Sequence, residues 1–200
     1  MLCGETVATN GMCGTADMTC LSTVAAIDQP DTATKYLWVC PGTNYQLGGR
    51  DAFCEAPKSF CDTVKDVPKE ECEALLSIYD NNGGDAWDYN TEWGVSPTVC
   101  NWYGVVCNDG HVFGLYLYDS VYYSNFGLTG NFEILEGNLD FLDTLYLNYN
   151  QLNSFHGAHM STLKDLTLQS NPLTSFYGTD LGELQYLRLS DNFLTSFSGE

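Results

Sequence analysis

Leu142-x-x-Leu145-x-Leu147-x-x-Asn150-x-Leu152-x-Ser154-Phe155 is written a second time as Leu163-x-x-Leu166-x-Leu168-x-x-Asn171-x-Leu173-x-Ser175-Phe176. It returns a third time as Leu184-x-x-Leu187-x-Leu189-x-x-Asn192-x-Leu194-x-Ser196-Phe197. From Leu142 to Leu163 to Leu184 the period is 21 residues, and Gly157, Gly178 and Gly199 keep the same phase. A fixed period of this size marks stacked units, none able to bury its apolar face alone. Each Leu-x-Leu predicts a short parallel strand on the concave side, with leucines inward and the intervening residues outward. Asn150, Asn171 and Asn192 should form a ladder whose amides satisfy backbone groups at the turns. Phe155, Phe176 and Phe197 should stack as a spine. So short a unit leaves little room for a helix on the far side, where extended or 3₁₀ backbone is expected.

Residues 66–112 follow another pattern. Asp66-Val67-Pro68-Lys69-Glu70-Glu71 reads as a helix start, with proline near the first turn and acids at the positive end of the dipole. Cys72, Leu75, Leu76 and Tyr79 recur at helical spacing, and Asn81-Asn82-Gly83-Gly84 ends the run. Then come Trp87, Trp93 and Cys100-Asn101-Trp102-Tyr103-Gly104-Val105-Val106-Cys107. A helix, Gly-Gly-x-x-Trp, Asn-x-x-Trp and Cys-x-Trp-Tyr-Gly-Val-x-Cys ahead of such repeats resembles extracellular leucine-rich repeat proteins with a plant or protist type of N-terminal cap. The resemblance implies a right-handed coil, a Cys100–Cys107 disulfide, and tryptophan packed over the first repeat. An open solenoid end exposes its core and has to be covered. Trp87, Trp93 and Trp102 are therefore read as packing residues before they are read as a sugar platform.

The expected architecture is an α+β solenoid in three parts. A cysteine-rich, disulfide-stapled module spans 1–65, a helical, disulfide-bonded cap 66–112, and the repeats 113–200. Val112-x-x-Leu115-x-Leu117 is the first strand. Ser120 takes the place where the family would have Asn, and Val121 to Phe126 intervene before Gly127-Leu128-Thr129-Gly130. Tyr122, Tyr123 and Phe126 make this insertion a candidate contact loop, since aromatic loops mark interfaces; a bulge covering the cap junction accounts for them equally. Phe132 to Phe141 is a degenerate repeat without placed landmarks.

The outward positions of the concave strands are where function can sit. Tyr116, Tyr118, Tyr146, Tyr149, Tyr186 and Arg188 are the binding candidates, among Thr144, Asn148, Asp165, Thr167, Gln169 and Ser190. Tyr offers contact area at low entropic cost with a polar tip, which suits protein or carbohydrate; high strand propensity alone also explains it.

Nine cysteines, seven of them within the first 72 residues, point to disulfides and to an extracellular or cell-surface setting. Taking Cys100 with Cys107 leaves an odd number, so one is free or bonded outside the chain. Cys72 needs an upstream partner, with Cys61 the first choice. Tyr36 to Cys40, ended by Pro41-Gly42, is the best strand in the module. Met1-Leu2-Cys3 is not followed by a signal-peptide core, so the expectation is a removed leader or a start inside a longer product. There is no Asn-x-Ser/Thr sequon, so N-linked glycan is not expected.

The net charge of −19, from 26 acidic and 7 basic residues, argues against nucleic acid. No apolar run reaches the ~18 residues of a membrane span. Between Glu71 and Asp140 lie 11 acids and no Lys or Arg. Solubility is the plain reading of that stretch and loosely held divalent cations the sharper one; no cofactor is expected. His156 and His159 lack a cysteine or carboxylate at ligand spacing and are read as solvated loop residues. With no phosphate loop and no nucleophile elbow, the chain reads as non-enzymatic.

The repeats run to the last residue without a closing cap, so Leu187, Leu189, Leu194 and Phe197 are expected to form an uncovered end, with an unpaired strand edge. Each such side chain left in water costs about 1.5–3 kcal/mol. Two functions follow. One is a structural protein that self-assembles end to end with copies of itself, as head-to-tail contacts build filaments, or that makes cell-surface contacts. The alternative is the recognition module of a receptor or adhesin, binding peptide or glycan on the tyrosine-rich concave face.

Overall fold

The computed structural model describes residues 27–29, 35–41, 52–57, 59–118, 126–135 and 138–199. The chain divides into two units, Met1–Ser59 and Phe60–Glu200. In the first, β1 (Ile27–Gln29), β2 (Lys35–Cys40) and β3 (Ala52–Pro57) form an antiparallel sheet in that order. The expected strand is the middle one, with Ile27 opposite Val39 and Trp38 opposite Cys54. Cys40 is buried and disulfide-bonded. Cys3, Cys13 and Cys20 lie outside the described residues, as does the side chain of Cys54, and with them the question of the odd cysteine.

The second unit begins at Phe60, upstream of the boundary expected near residue 65. The reason is packing: Cys61, Val64 and Val67 belong to the same core as the repeat leucines. Cys61 is bonded to Cys72, in the first turn of the helix α1 (Lys69–Asn81). That helix buries Cys72, Ala74, Leu75 and Ile78, while Leu76 and Tyr79 are half-buried. The apolar face is thus turned from the expected one, and Glu71 is on it, only 5% exposed.

After Cys100, bonded to Cys107 as the resemblance implied, come β4 (Val105–Asn108) and β5 (His111–Tyr116), an antiparallel pair. Asp109 (φ 50) and Gly110 (φ 79) join them, both in the left-handed region that a tight two-residue hairpin requires. Gly104 allows no side chain: at φ 82, a Cβ would meet the Tyr116 carbonyl oxygen at 2.4 Å.

From here the chain coils. β6 (Thr129–Ile134), β7 (Thr144–Tyr146), β8 (Gln151–Gly157), β9 (Asp165–Thr167), β10 (Ser175–Gly178), β11 (Tyr186–Arg188) and β12 (Ser196–Gly199) alternate between two sheets. One sheet has the order β11-β9-β7-β5-β4, parallel except for β4; the other, β12-β10-β8-β6, is parallel throughout. This is a mostly parallel-strand β-solenoid with one α-helix among the described residues. The far side of each coil is extended, as expected, and pairs into a sheet of its own.

Register follows the repeat. Leu115, Leu145, Leu166 and Leu187 are aligned across one sheet, and Phe132, Phe155, Phe176 and Phe197 across the other. The phenylalanine rings stack at 6.0, 5.2 and 4.8 Å between centroids. Because β5 pairs directly with β7, Phe132 belongs to the first coil, and the separate degenerate repeat expected to begin there is not formed. Between the sheets runs the asparagine ladder. Asn171 Nδ2 donates to the carbonyls of Leu147 (2.9 Å) and Leu168 (3.1 Å), and its Oδ1 accepts from Leu152 N–H (3.1 Å). Asn150 and Asn192 repeat that pattern on their own neighbours. Buried backbone groups at each turn are thus satisfied by one amide.

Candidate functional site

The first strands are fixed by the tryptophan-rich segment before them. Trp87, Trp93 and Trp102 are 4%, 3% and 1% exposed. Their indole N–H groups donate to the carbonyls of Asn82, Tyr103 and Ser96, each at 2.9 Å. Rings this enclosed offer no face to a ligand, and they hold the solenoid's first coil. Phe126, expected on a contact loop, is fully buried beside Trp87 (5.6 Å), Tyr89 and Tyr103. It belongs to the core because apolar rings around it exclude water. Tyr122 and Tyr123 lie outside the described residues.

On that base the five-stranded sheet presents its outward rows. Register puts Tyr116, Tyr146, Thr167 and Arg188 side by side on β5, β7, β9 and β11. Threonine is the small member between a tyrosine and an arginine, so a hollow of about 200 Å³ opens over it. Its lining is Tyr118, Tyr146, Asn148, Tyr149, Thr167, Gln169 and Arg188. Four of the six expected residues, Tyr118, Tyr146, Tyr149 and Arg188, are gathered there. Tyr116 instead backs the wall, its ring edge-on to Tyr146 at 5.2 Å, and Tyr186 stands outside, 57% exposed.

Electrostatics set the character of this hollow. Tyr146 donates its hydroxyl to Asp165 Oδ2 at 2.6 Å. That hydrogen bond, helped by burial, pushes the phenol up to about 12. The bond to Asp165 fixes the ring, so Tyr146 forms a rigid wall of the hollow. Asn148 and Thr167, expected to point outward, are only 7% and 5% exposed, sunk between larger neighbours. Thr167 Oγ1 and Asp165 Oδ1 are buried without a hydrogen-bond partner. The side-chain amides of Asn148 and Gln169 are uncommitted too, although their backbone carbonyls accept from the ladder. Arg188 makes no ion pair among the described residues, whereas Lys69 and Lys164 are matched to Asp62 and Asp143.

Other hollows are larger but already answered. One of about 340 Å³ lies against α1 and β6, where the Asn82 amide is spent on the carbonyls of Thr129 (2.7 Å) and Asn131 (3.0 Å). Another, about 390 Å³, is lined by His111, Phe141 and Lys164. There His111 Nδ1 meets Glu71 Oε1 at 2.6 Å, its ring stacks on Phe141 at 3.8 Å, and Glu71 Oε2 accepts from Val112 N–H at 2.7 Å. Sequence reading missed the Glu71–His111 pair because 40 residues separate its members and nothing local links them.

The remaining candidates are placed as follows. Leu187 and Phe197 are exposed, at 36% and 57%, and Leu189 and Leu194 half-buried against the core. His156 is not a loop residue: it lies on β8, 3.5 Å from Glu133, while His159 faces Asp180 at 3.2 Å. Both carboxylates come from neighbouring coils, which the spacing along the chain did not reveal. Among the described residues only Asp66, Cys100 and Cys107 converge as metal ligands do. Their sulfurs are bonded to each other, and Asp66 accepts from Cys100 N–H at 2.8 Å, so the group is no cation site. No described helix is long and apolar enough to cross a membrane. No protein-family model matches the sequence, and no curated protein is significantly similar to it.

Proposed function

We propose that the chain is a non-catalytic recognition module of an extracellular protein of the leucine-rich repeat kind, binding its partner on the outward face of the five-stranded sheet. The tryptophan segment with the Cys100–Cys107 disulfide acts as its N-terminal cap. One observation carries this reading: the uncommitted polar side chains of Asn148, Thr167 and Gln169, from two successive coils, converge on one hollow beside Arg188 of the next, which makes no ion pair among the described residues. Buried polar atoms left without partners are costly, at about 1–3 kcal/mol each, and a bound ligand removes that cost. The disulfides support an oxidising, extracellular setting.

The test is a panel of oligosaccharides and extended peptides screened against the whole chain and against Thr167→Tyr and Tyr146→Ala, with the fold checked by circular dichroism. Binding that both substitutions abolish is expected. Ligands held equally well by wild type and both variants would sink the reading.

A second reading, end-to-end association of copies, is favoured by the exposure of Leu187 and Phe197, the row whose counterparts one coil earlier are buried. Sedimentation equilibrium decides it. Association should vanish in Leu187→Asp/Phe197→Asp, and a wild-type chain that stays monomeric at every concentration rules it out.

A further inference from the structure

We infer that the hollow over Thr167 takes a single unit of a glycan, one that carries an anionic substituent. This rests on the recognition reading and gives it a ligand class. Size comes first. At about 200 Å³ the hollow is smaller than the about 300–1,000 Å³ typical of small-molecule sites. It holds one ring-sized unit of a longer, surface-bound chain.

Chemistry comes next. The floor and ends are the Thr167 hydroxyl and the Asn148 and Gln169 amides, none with a side-chain partner. Each of these groups both donates and accepts. Vicinal hydroxyls, which also donate and accept, match that set; a carboxylate alone asks only for donors and would leave the amide oxygens unmet. Asn148 and Thr167 are more than nine-tenths buried, so their rotamers are held by packing and little order has to be created on binding. Tyr146 is locked by its bond to Asp165 and gives a rigid aromatic wall for the C–H face of a ring.

Charge decides the kind of sugar. Arg188 is the one described cation on this face, on β11 next to Thr167, and its planar fork suits the paired oxygens of a carboxylate or sulfate. On a chain of net charge −19, diffuse attraction for a polyanion is absent, so discrimination rests on this single contact.

The experiment is calorimetric titration of the whole chain with four probes. They are a hexuronate-containing tetrasaccharide, its carboxyl-reduced neutral counterpart, a neutral-backbone tetrasaccharide bearing sulfate, and a glutamate-rich peptide. At least one anionic saccharide should bind ten-fold or more tighter than the neutral one, and the arms separate carboxylate from sulfate. Arg188→Gln should bring anionic binding down to the neutral level, Arg188→Lys should restore part of it, and Thr167→Tyr should remove saccharide binding altogether. Equal affinity for anionic and neutral sugars overturns the anionic assignment. Binding of the peptide alone, or of no saccharide, overturns the glycan assignment while the recognition reading stands on its own panel. A preference unchanged by Arg188→Gln overturns the role of that residue.

Discussion

The second and fourth coils of the solenoid share their leucine, asparagine and phenylalanine ladder residues in the same register, yet those side chains live in different surroundings. Leu145 and Phe155 are 0% and 1% exposed; Leu187 and Phe197 are 36% and 57% exposed. The third coil, with Leu166 and Phe176 at 0% and 2%, resembles the second. At these ladder positions nothing within a coil distinguishes them. What differs is the neighbour: the second coil has one on each side, while among the described residues the fourth has one only. Stability in such a stack is a sum of coil terms and interface terms, and here the interface carries the leucine and phenylalanine burial.

Truncation at the two places gives the largest contrast. Phe155→Ala should cost about 3–5 kcal/mol in urea unfolding, as for a fully buried ring. Phe197→Ala should cost about 1 kcal/mol, because much of that ring already meets water. Equal losses would break the comparison and mean that the fourth coil is covered in solution.

The asparagine ladder gives a smaller version of the same contrast. Asn171→Ala strands the Leu152 amide inside the core, leaves the Leu147 carbonyl with the Asn150 donor alone, and should cost about 2–3 kcal/mol, against about 1 kcal/mol for Asn192→Ala, where solvent can substitute. Amide exchange at Leu152 and Leu173 reads the two sites directly. At the tryptophan-covered end, Glu71→Ala removes the partner of both His111 and Val112 N–H, and a loss of about 2 kcal/mol is expected.

The smallest effect is a titration. Tyr146 is raised from 10.0 to about 12 by its bond to Asp165 and by burial. A group raised in the folded state stabilises fully below its unfolded value and loses that contribution as pH climbs through the folded one. The window is therefore pH 10 to 12. Tyrosinate absorbance of wild type minus Tyr146→Phe should titrate late, and Asp165→Asn should move it back toward 10.

How far these surroundings could be read in advance varies by residue. The leucine, asparagine and phenylalanine ladders were legible because each repeats its own chemistry at a fixed interval, and strand pairing keeps that interval. The packing role of the tryptophans was legible because aromatic residues just ahead of stacked repeats have an open core to cover. Glu71 was not, because a carboxylate in the first turn of a helix has a sufficient local reason to be there. The β4–β5 hairpin has a local signal in its Asp109-Gly110 pair, a dipeptide suited to left-handed backbone. Phe132 was hidden because the aligned strands of β6 and β8 contain a register shift. The hollow is the most instructive case. Thr167 says nothing alone; only when Tyr146, Thr167 and Arg188 are written beside one another does its small size become a space. The recurring left-handed backbone at Tyr149, Ser170 and Asp191 (φ 58, 56 and 56) had no sequence mark, since none is glycine.

That last feature bears on how such a chain can change. Every corner of the coil is made by residues within one 21-residue unit and their bonds to the adjacent unit. A duplication of residues 163–183 would therefore hand each ladder group an equivalent partner and disturb no existing pair. It would also slide Arg188 one strand further from Tyr146, by about 4.8 Å. The spacing between the guanidinium and the tyrosine wall is in effect a ruler with strand-width divisions, adjustable by gene duplication without redesign of the fold.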